Sequence, residues 1–207
     1  MDFLVRRHWV FDLDGTLTKP VHDFDRIREQ LGLPSGMGTL EGLATVPESE
    51  REALAEKLNQ IGWEYARMSE IQEGARAFLD ELVVAGCRLG VVTRNNRANL
   101  DESLRLIDCE DLFPQEVRLS RDDPPAKPAP DPILRLLQQW GAEADDAVMV
   151  GDAIYDLQAG RAAGTATLYL DPEGDGPHGD WADGRFSCWN ALGDLRRSLS
   201  VERRPLA

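Results

Sequence analysis

The stretch VFDLDGTLTK, residues 10–19, constrains the fold more than any other. An apolar run, HWVF, leads straight into Asp12, a second carboxylate follows at Asp14 after one leucine, and the chain turns at Gly15-Thr16. Two like charges beside an apolar strand repel each other and resist burial. Such a strand has to end at the rim of a sheet, where another group can offset the charge. Open parallel sheets bind their ligands at that rim, beyond the carboxyl ends of the strands.

The remaining pattern agrees with a parallel sheet. Short apolar runs alternate with helical periodicity, the mark of βαβ units. Residues 8–12 read as the first strand, and a helix over about 73–85, stopped by Gly86, leads into a second strand, RLGVV, at 88–92. A weaker strand is expected at 116–120. A helix opened by Asp131-Pro132 and closed by Gly141 precedes AVMV at 147–150, and ATLYL at 166–170 reads as a further strand. The stretch RFSCWNALGDLRRSL suggests a last strand and helix, followed by a frayed tail at Arg203-Arg204.

Between about residues 18 and 72 no convincing strand occurs. Asp23 can cap a helix whose apolar face is Phe24, Ile27 and Leu31, ending near Gly32. The segment GLPSGMGTLEG reads as a loop. Pro47 and Glu48 then open a long helix with an apolar stripe of Leu54, Leu58, Ile61, Tyr65 and Met68. Trp63, Tyr65 and Met68 are expected to pack. The segment is a small all-helical insertion after the first strand.

Composition narrows the class of partner. With 37 acidic and 23 basic residues the 207-residue chain carries a net charge of −14, which argues against a nucleic-acid backbone or an anionic membrane. No apolar run reaches the roughly 18–20 residues that cross a bilayer. Three widely spaced cysteines, Cys87, Cys109 and Cys188, without a C-x-x-C pair, fit reduced thiols in the cytoplasm. Of the basic residues only Lys19, Lys57 and Lys127 are lysines, so a lysine at a loop such as PPAKPAPDP stands out.

The strand ends then supply a chemistry. The first ends in Asp12 and Asp14, the second in Thr93-Arg94-Asn95, and AVMV in Gly151-Asp152 with Asp156 four residues on; Lys127 lies ahead of the helix at 131. Asp12, Asp14 and Asp152 together need a hard divalent cation such as Mg²⁺ with oxygen ligands. A phosphate at the same place needs a fixed cation and a neutral donor, the types of Lys127 and Thr93. A carboxylate so compensated can act as a nucleophile, and its neighbour two residues on can move protons.

Asp12-Leu13-Asp14-Gly15-Thr16-Leu17, Thr93, Lys127-Pro128 and Gly151-Asp152-x-x-x-Asp156 resemble, in order, the four motifs of the haloacid dehalogenase superfamily. Residues 8–171 carry the likeness, and EGARAFLDELVVAGCRLGVVTRN and KPAPDPILRLL are similar to its phosphoglycolate-phosphatase-like branch. The resemblance implies an α/β, Rossmann-like parallel sheet of order 5-4-1-2-3, formed by residues 1–17 and 73–207, with a short helical cap at 18–72 that opens and closes over the site. It implies a Mg²⁺-dependent phosphatase acting on a small phosphomonoester, phosphoglycolate-like or a sugar phosphate. Asp12 would attack phosphorus, Asp14 would serve as acid and base, and Thr93 and Lys127 would hold the phosphoryl group. Mg²⁺ would be held by Asp12, the Asp14 carbonyl and Asp152, with Gly151 and Asp156 in support, Asp156 orienting metal-bound water or Lys127. The second aspartate separates phosphatases from the dehalogenases that named the family.

Two departures from the family pattern touch substrate recognition: Arg94 stands where many members carry Asn, and Thr18-Lys19-Pro20 follows the first motif. Arg94, Asn95 and Lys19 are accordingly candidates for substrate contact, and Arg67 is a further one, as an arginine that could meet a substrate anion. His8 and His22 read as isolated packing or surface residues, and Asp122 and Asp123 as part of a solvated loop. The alternatives are a phosphomutase using the same residues and a non-catalytic binding protein, though the latter predicts losses among the motif residues and none is missing. The partner expected is a small phosphorylated metabolite; monomer and dimer stay open.

Overall fold

A computed structural model describes residues 2–202, with side chains described through Leu199; the Arg203-Arg204 tail lies outside the described residues. The structure is built on β1 (His8–Phe11), the central strand of a six-stranded, all-parallel sheet. Trp9, Val10 and Phe11 are wholly buried. Strands covered on both faces read as continuous apolar runs, which is why HWVF shows no alternation.

β2 (Arg88–Val92) pairs with one edge of β1, and the two-residue β3 (Arg118–Leu119) lies outside it. β4 (Ala147–Gly151), β5 (Ala166–Leu170) and β6 (Gly184–Phe186) extend the other edge. The order is therefore β6-β5-β4-β1-β2-β3: the expected 5-4-1-2-3 with a sixth strand added beside β5. The strand expected at 116–120 shrinks to two residues because Gln115–Val117 form a 3₁₀ turn.

Helices cover both faces: α4 (Ala75–Val84), α5 (Arg97–Leu106), α6 (Asp131–Trp140), α7 (Ile154–Ala163) and α8 (Trp189–Glu202). Phe78 of α4 meets Trp9 edge-on at 5.5 Å between ring centroids and Trp189 of α8 at 5.4 Å. The Trp189 indole also donates to Thr16 O at 3.2 Å, tying the last helix to the turn after β1. Among the described residues no helix is long and apolar enough to cross a membrane, and all three cysteines are free thiols.

Between β1 and α4 come α1 (Phe24–Leu31), α2 (Thr39–Thr45) and α3 (Glu48–Ala66). Asp23 caps α1 by accepting from Arg26 N, and Gly32 closes it in the left-handed conformation. The Gly-rich segment expected to be a loop instead forms α2, because Leu40 and Leu43 have an apolar cluster to join. That cluster is Ile27, Leu31, Leu33 and Leu58, with Leu54, Ile61 and Tyr65 at its edge. The apolar stripe of α3 stops short of its expected end: the helix finishes at Ala66, and Met68 and Trp63 are exposed rather than packed. The two connections to the rest of the chain run antiparallel and side by side, with Lys19 N donating to Glu70 O and Gln72 N to Leu17 O, both at 2.8 Å.

Phe78 is fully buried between two tryptophans, and its truncation leaves a cavity that rigid strands cannot close. Phe78→Ala is expected to lower unfolding stability by about 3–5 kcal/mol, measured by urea denaturation.

Candidate active site

Beyond the carboxyl edge of β1, β2 and β4 lies a cavity of about 480 Å³. Asp12, Asp14, Thr93, Lys127, Asp152 and Asp156 all line it, though they come from four separate stretches of sequence. Asp12 follows β1 directly, and its N–H donates to Val150 O at 2.9 Å, so the strand ladder itself fixes the position of the carboxylate.

The centre of the cluster is the Lys127 ammonium, which donates to Asp12 Oδ1 and to Asp156 Oδ1, each at 2.6 Å. Its side chain is fully buried. Burial alone lowers a lysine, but the two carboxylates outweigh that effect and hold Lys127 above its ordinary pKa. Burial raises Asp12 despite Lys127, with Asp14 adding to the rise. Asp156 is pushed up to about 6, again by burial against the pull of Lys127. Asp152 stands well above the carboxylate range, through burial and then the charges of Asp12 and Asp156. Among the described residues its side-chain partner is the Thr16 hydroxyl, which donates to Oδ1 at 2.8 Å.

Three carboxylates, Asp12, Asp152 and Asp156, bring oxygens within 4.8 Å of one another, and one lysine does not balance them. Asp156 has both oxygens engaged, Oδ1 by Lys127 and Oδ2 by Ala153 N at 3.0 Å. Asp12 and Asp152 each keep one oxygen with no side-chain partner among the described residues. An all-oxygen set with surplus negative charge fits a hard divalent cation.

Two glycines make this closeness possible. Gly15 has φ of +89°, and a Cβ there would strike the Asp152 carboxylate. A Cβ on Gly151 would collide with the Asp156 side chain.

Thr93 donates to Asp14 Oδ2 at 2.9 Å and accepts from Asn95 N at 3.0 Å. In this state its hydroxyl holds Asp14 in place. Arg94 and Asn95 line the cavity. The Arg94 guanidinium grips both oxygens of Glu41 on α2 at 2.8 and 2.6 Å, donates to Lys127 O, and stacks 3.8 Å above the Tyr155 ring. Asn95 Oδ1 accepts from Asn99 Nδ2 at 2.7 Å.

The other two candidates for substrate contact lie outside the cavity. Lys19 is exposed and bound to Glu70 at 2.6 Å, because the antiparallel connection places the two side by side. Arg67 sits exposed at the end of α3, where its charge faces Glu102. Asp123 is half-buried, contrary to the solvated loop expected: it accepts from Ser120 N and Oγ, both at 3.0 Å, and pairs with Arg97.

His22 is the clearest omission of the sequence reading. It lines the cavity with Nε2 3.8 Å from Asp14 Oδ1, and neither atom has a hydrogen-bond partner among the described residues. Phe24 and Tyr65 hold the imidazole at centroid distances of 5.4 and 4.7 Å. No motif marks it, since apart from Phe24 its neighbours in space, Asp14 and Tyr65, come from the turn after β1 and from α3.

Fold and relatives together define a hydrolase on a doubly wound parallel sheet. The chain belongs to the haloacid dehalogenase-like hydrolase family, whose model matches residues 7–164. An uncharacterised hydrolase of Saccharomyces cerevisiae is 27% identical over 164 residues, covering 78% of this chain and 75% of the relative. The pyrophosphatase PpaX of Bacillus cereus strain AH820 is 28% identical over 173 residues, covering 76% and 80%. Among solved structures, a hydrolase from Pseudomonas syringae superposes with a TM-score of 0.76 at 22% identity, over 95% of this chain and 99% of that one. A predicted phosphoglycolate phosphatase from Haemophilus somnus gives 0.71 at 20% identity, over 96% and 99%. These last two likenesses concern the fold.

Gly151→Ala is expected to displace Asp156 and loosen its hold on Lys127. Activity should fall by about 10- to 100-fold, the usual effect of losing a supporting group, with the sheet intact by circular dichroism. A hydrolysis assay reads the loss.

Proposed function

We propose that this hydrolase removes the phosphoryl group from a small phosphorylated metabolite through an aspartyl-phosphate intermediate. One observation carries the reading. Asp12, Asp14, Thr93, Lys127 and Asp152, drawn from four strand ends and loops, all line one cavity, with the lysine locked between Asp12 and Asp156.

In this scheme the Asp12 carboxylate attacks phosphorus and the bond from phosphorus to the leaving oxygen breaks. Asp14, entering as a carboxylic acid, gives its proton to that oxygen. Water then attacks the aspartyl phosphate at phosphorus and loses its proton to Asp14, and the bond to Asp12 breaks to release inorganic phosphate. Lys127 offsets the charge of the transferring group, and the single O–H of Thr93, which holds Asp14 here, turns to donate to a phosphoryl oxygen. Asp12, Asp152 and the Asp14 carbonyl would hold Mg²⁺, and that carbonyl accepts no hydrogen bond among the described residues. When bound, the cation supplies charge neutralisation and polarises the phosphoryl oxygens.

Residues 18–72 act in this reading as a cap. Their helices form their own apolar cluster and reach the rest of the chain through two adjacent connections. The Arg94–Glu41 pair and the Asn96 Nδ2 to Asn59 Oδ1 hydrogen bond, at 2.9 Å, fasten them over the cavity. The Bacillus relative named a pyrophosphatase agrees with phosphoryl chemistry.

Phosphate release across a panel of small phosphomonoesters tests the reading. Release should require Mg²⁺, stop with a chelator and return with added metal. Asp12→Asn should cut turnover by about 10⁴-fold or more while keeping a cooperative unfolding transition, and Asp14→Asn by about 10²- to 10⁴-fold. An Asp12→Asn enzyme of undiminished activity contradicts the mechanism.

A further inference from the structure

Three guanidinium groups line the cavity, although the chain as a whole is strongly acidic. Two are already neutralised: Arg28 pairs with Asp25 on its own helix, and Arg94 with Glu41. Arg121 is different. Among the described residues its guanidinium makes no ion pair and one hydrogen bond, to the neutral Asn59 Oδ1 of α3.

Its placement is not that of a stray surface charge. Arg121 lies two residues beyond β3, and its N–H donates to Asn95 O at 2.9 Å. The loop after β3 is thereby stitched to the loop after β2 that carries Thr93. The side chain is partly buried between that loop and α3. Burial lowers its pKa, with only Asp122 opposing, and Asp122 is exposed and already accepts from Arg97 N at 2.8 Å. An arginine does not escape burial by losing its proton. Four of its five N–H groups meet no protein acceptor among the described residues, so a partly buried cation on the cavity wall keeps its donors for an anionic ligand.

We propose that Arg121 reads a second anionic group on the substrate, so that the site selects phosphorylated compounds whose leaving group itself carries a carboxylate or a phosphate. The proposal rests on the phosphatase reading above and assigns to it a specificity-determining residue. A planar fork of N–H donors suits either anion. The alternative role, a mere tie between α3 and the β3 loop through Asn59, predicts that the tie and not the charge matters.

The test compares three probes: ethyl phosphate, carboxymethyl phosphate and pyrophosphate. The natural enzyme should favour at least one of the charged pair over ethyl phosphate in kcat/KM, and which one it favours separates carboxylate from phosphate. Arg121→Met should shrink that preference by about 10- to 100-fold, mainly through KM. Arg121→Lys should restore part of it, and Asn59→Ala should leave it standing. Equal turnover of all three probes by the natural enzyme overturns the proposal. So does an Arg121→Met variant that loses activity on all of them in proportion, or an Asn59→Ala variant that reproduces it.

A binding measurement separates this proposal from the phosphatase reading. By calorimetry with Mg²⁺, phosphonoacetate or methylenediphosphonate should bind tighter than methylphosphonate to the natural protein, and Arg121→Met should erase the difference. If that difference is present while no probe is turned over, the phosphatase reading fails and the anion site stands. If it is absent while ethyl phosphate is hydrolysed, the anion site fails alone.

Discussion

Everything at this site depends on one buried ammonium. Lys127 has no exposed side-chain surface, and both its carboxylate partners are buried with it. Removing a lysine and two aspartates from water is costly, and close pairing returns that cost only when the geometry is good. Here the geometry is fixed from outside the pair. The ladder bond from Asp12 N to Val150 O holds one carboxylate. The bond from Ala153 N to Asp156 at the start of α7 holds the other. Even so, three clustered carboxylates outnumber the single lysine, and Asp152 shows the imbalance most strongly through its raised pKa. An all-oxygen cluster with that surplus of negative charge fits a further, hard cation.

The helical segment matters for the same electrostatic reason. A site that leaves charge unbalanced in the absence of substrate works best when water is excluded at the moment of reaction. α1 to α3 supply cavity walls such as Phe24, Ile27 and Leu58, and their polar contacts with the strand-end loops are few. Glu41 on Arg94 is a contact that a substrate anion could replace, whereas Asn59 on Arg121 brings no charge. The two arginines thus differ in how readily each is released to a ligand.

Much of this was legible in the residues. The run of apolar residues into Asp12 marked the central strand, because a strand buried on both faces must read that way. The order of strand ends placed Thr93, Lys127, Gly151, Asp152 and Asp156 around it. What the sequence hid was whatever depended on non-local packing. α2 is a short helix in a Gly-rich stretch, and only the cluster around Leu33 and Leu58 makes it worth forming. The stripe on α3 overran to Met68 because periodicity does not record where a partner surface ends. Lys19 and Arg67 had suitable charge but face Glu70 and Glu102. His22 and Arg121 lack any motif of their own, although Arg121, six residues before Lys127 on one loop, was within reach of a closer reading.

The most direct measurement is peptide mass spectrometry on enzyme quenched in acid during turnover of a phosphorylated substrate with Mg²⁺. The account predicts one phosphoryl group on the peptide that holds Asp12, absent from enzyme quenched without substrate and absent from the Asp12→Asn variant. Steady phosphate release with no phosphoryl group on that peptide, or with the group on another residue, would contradict it.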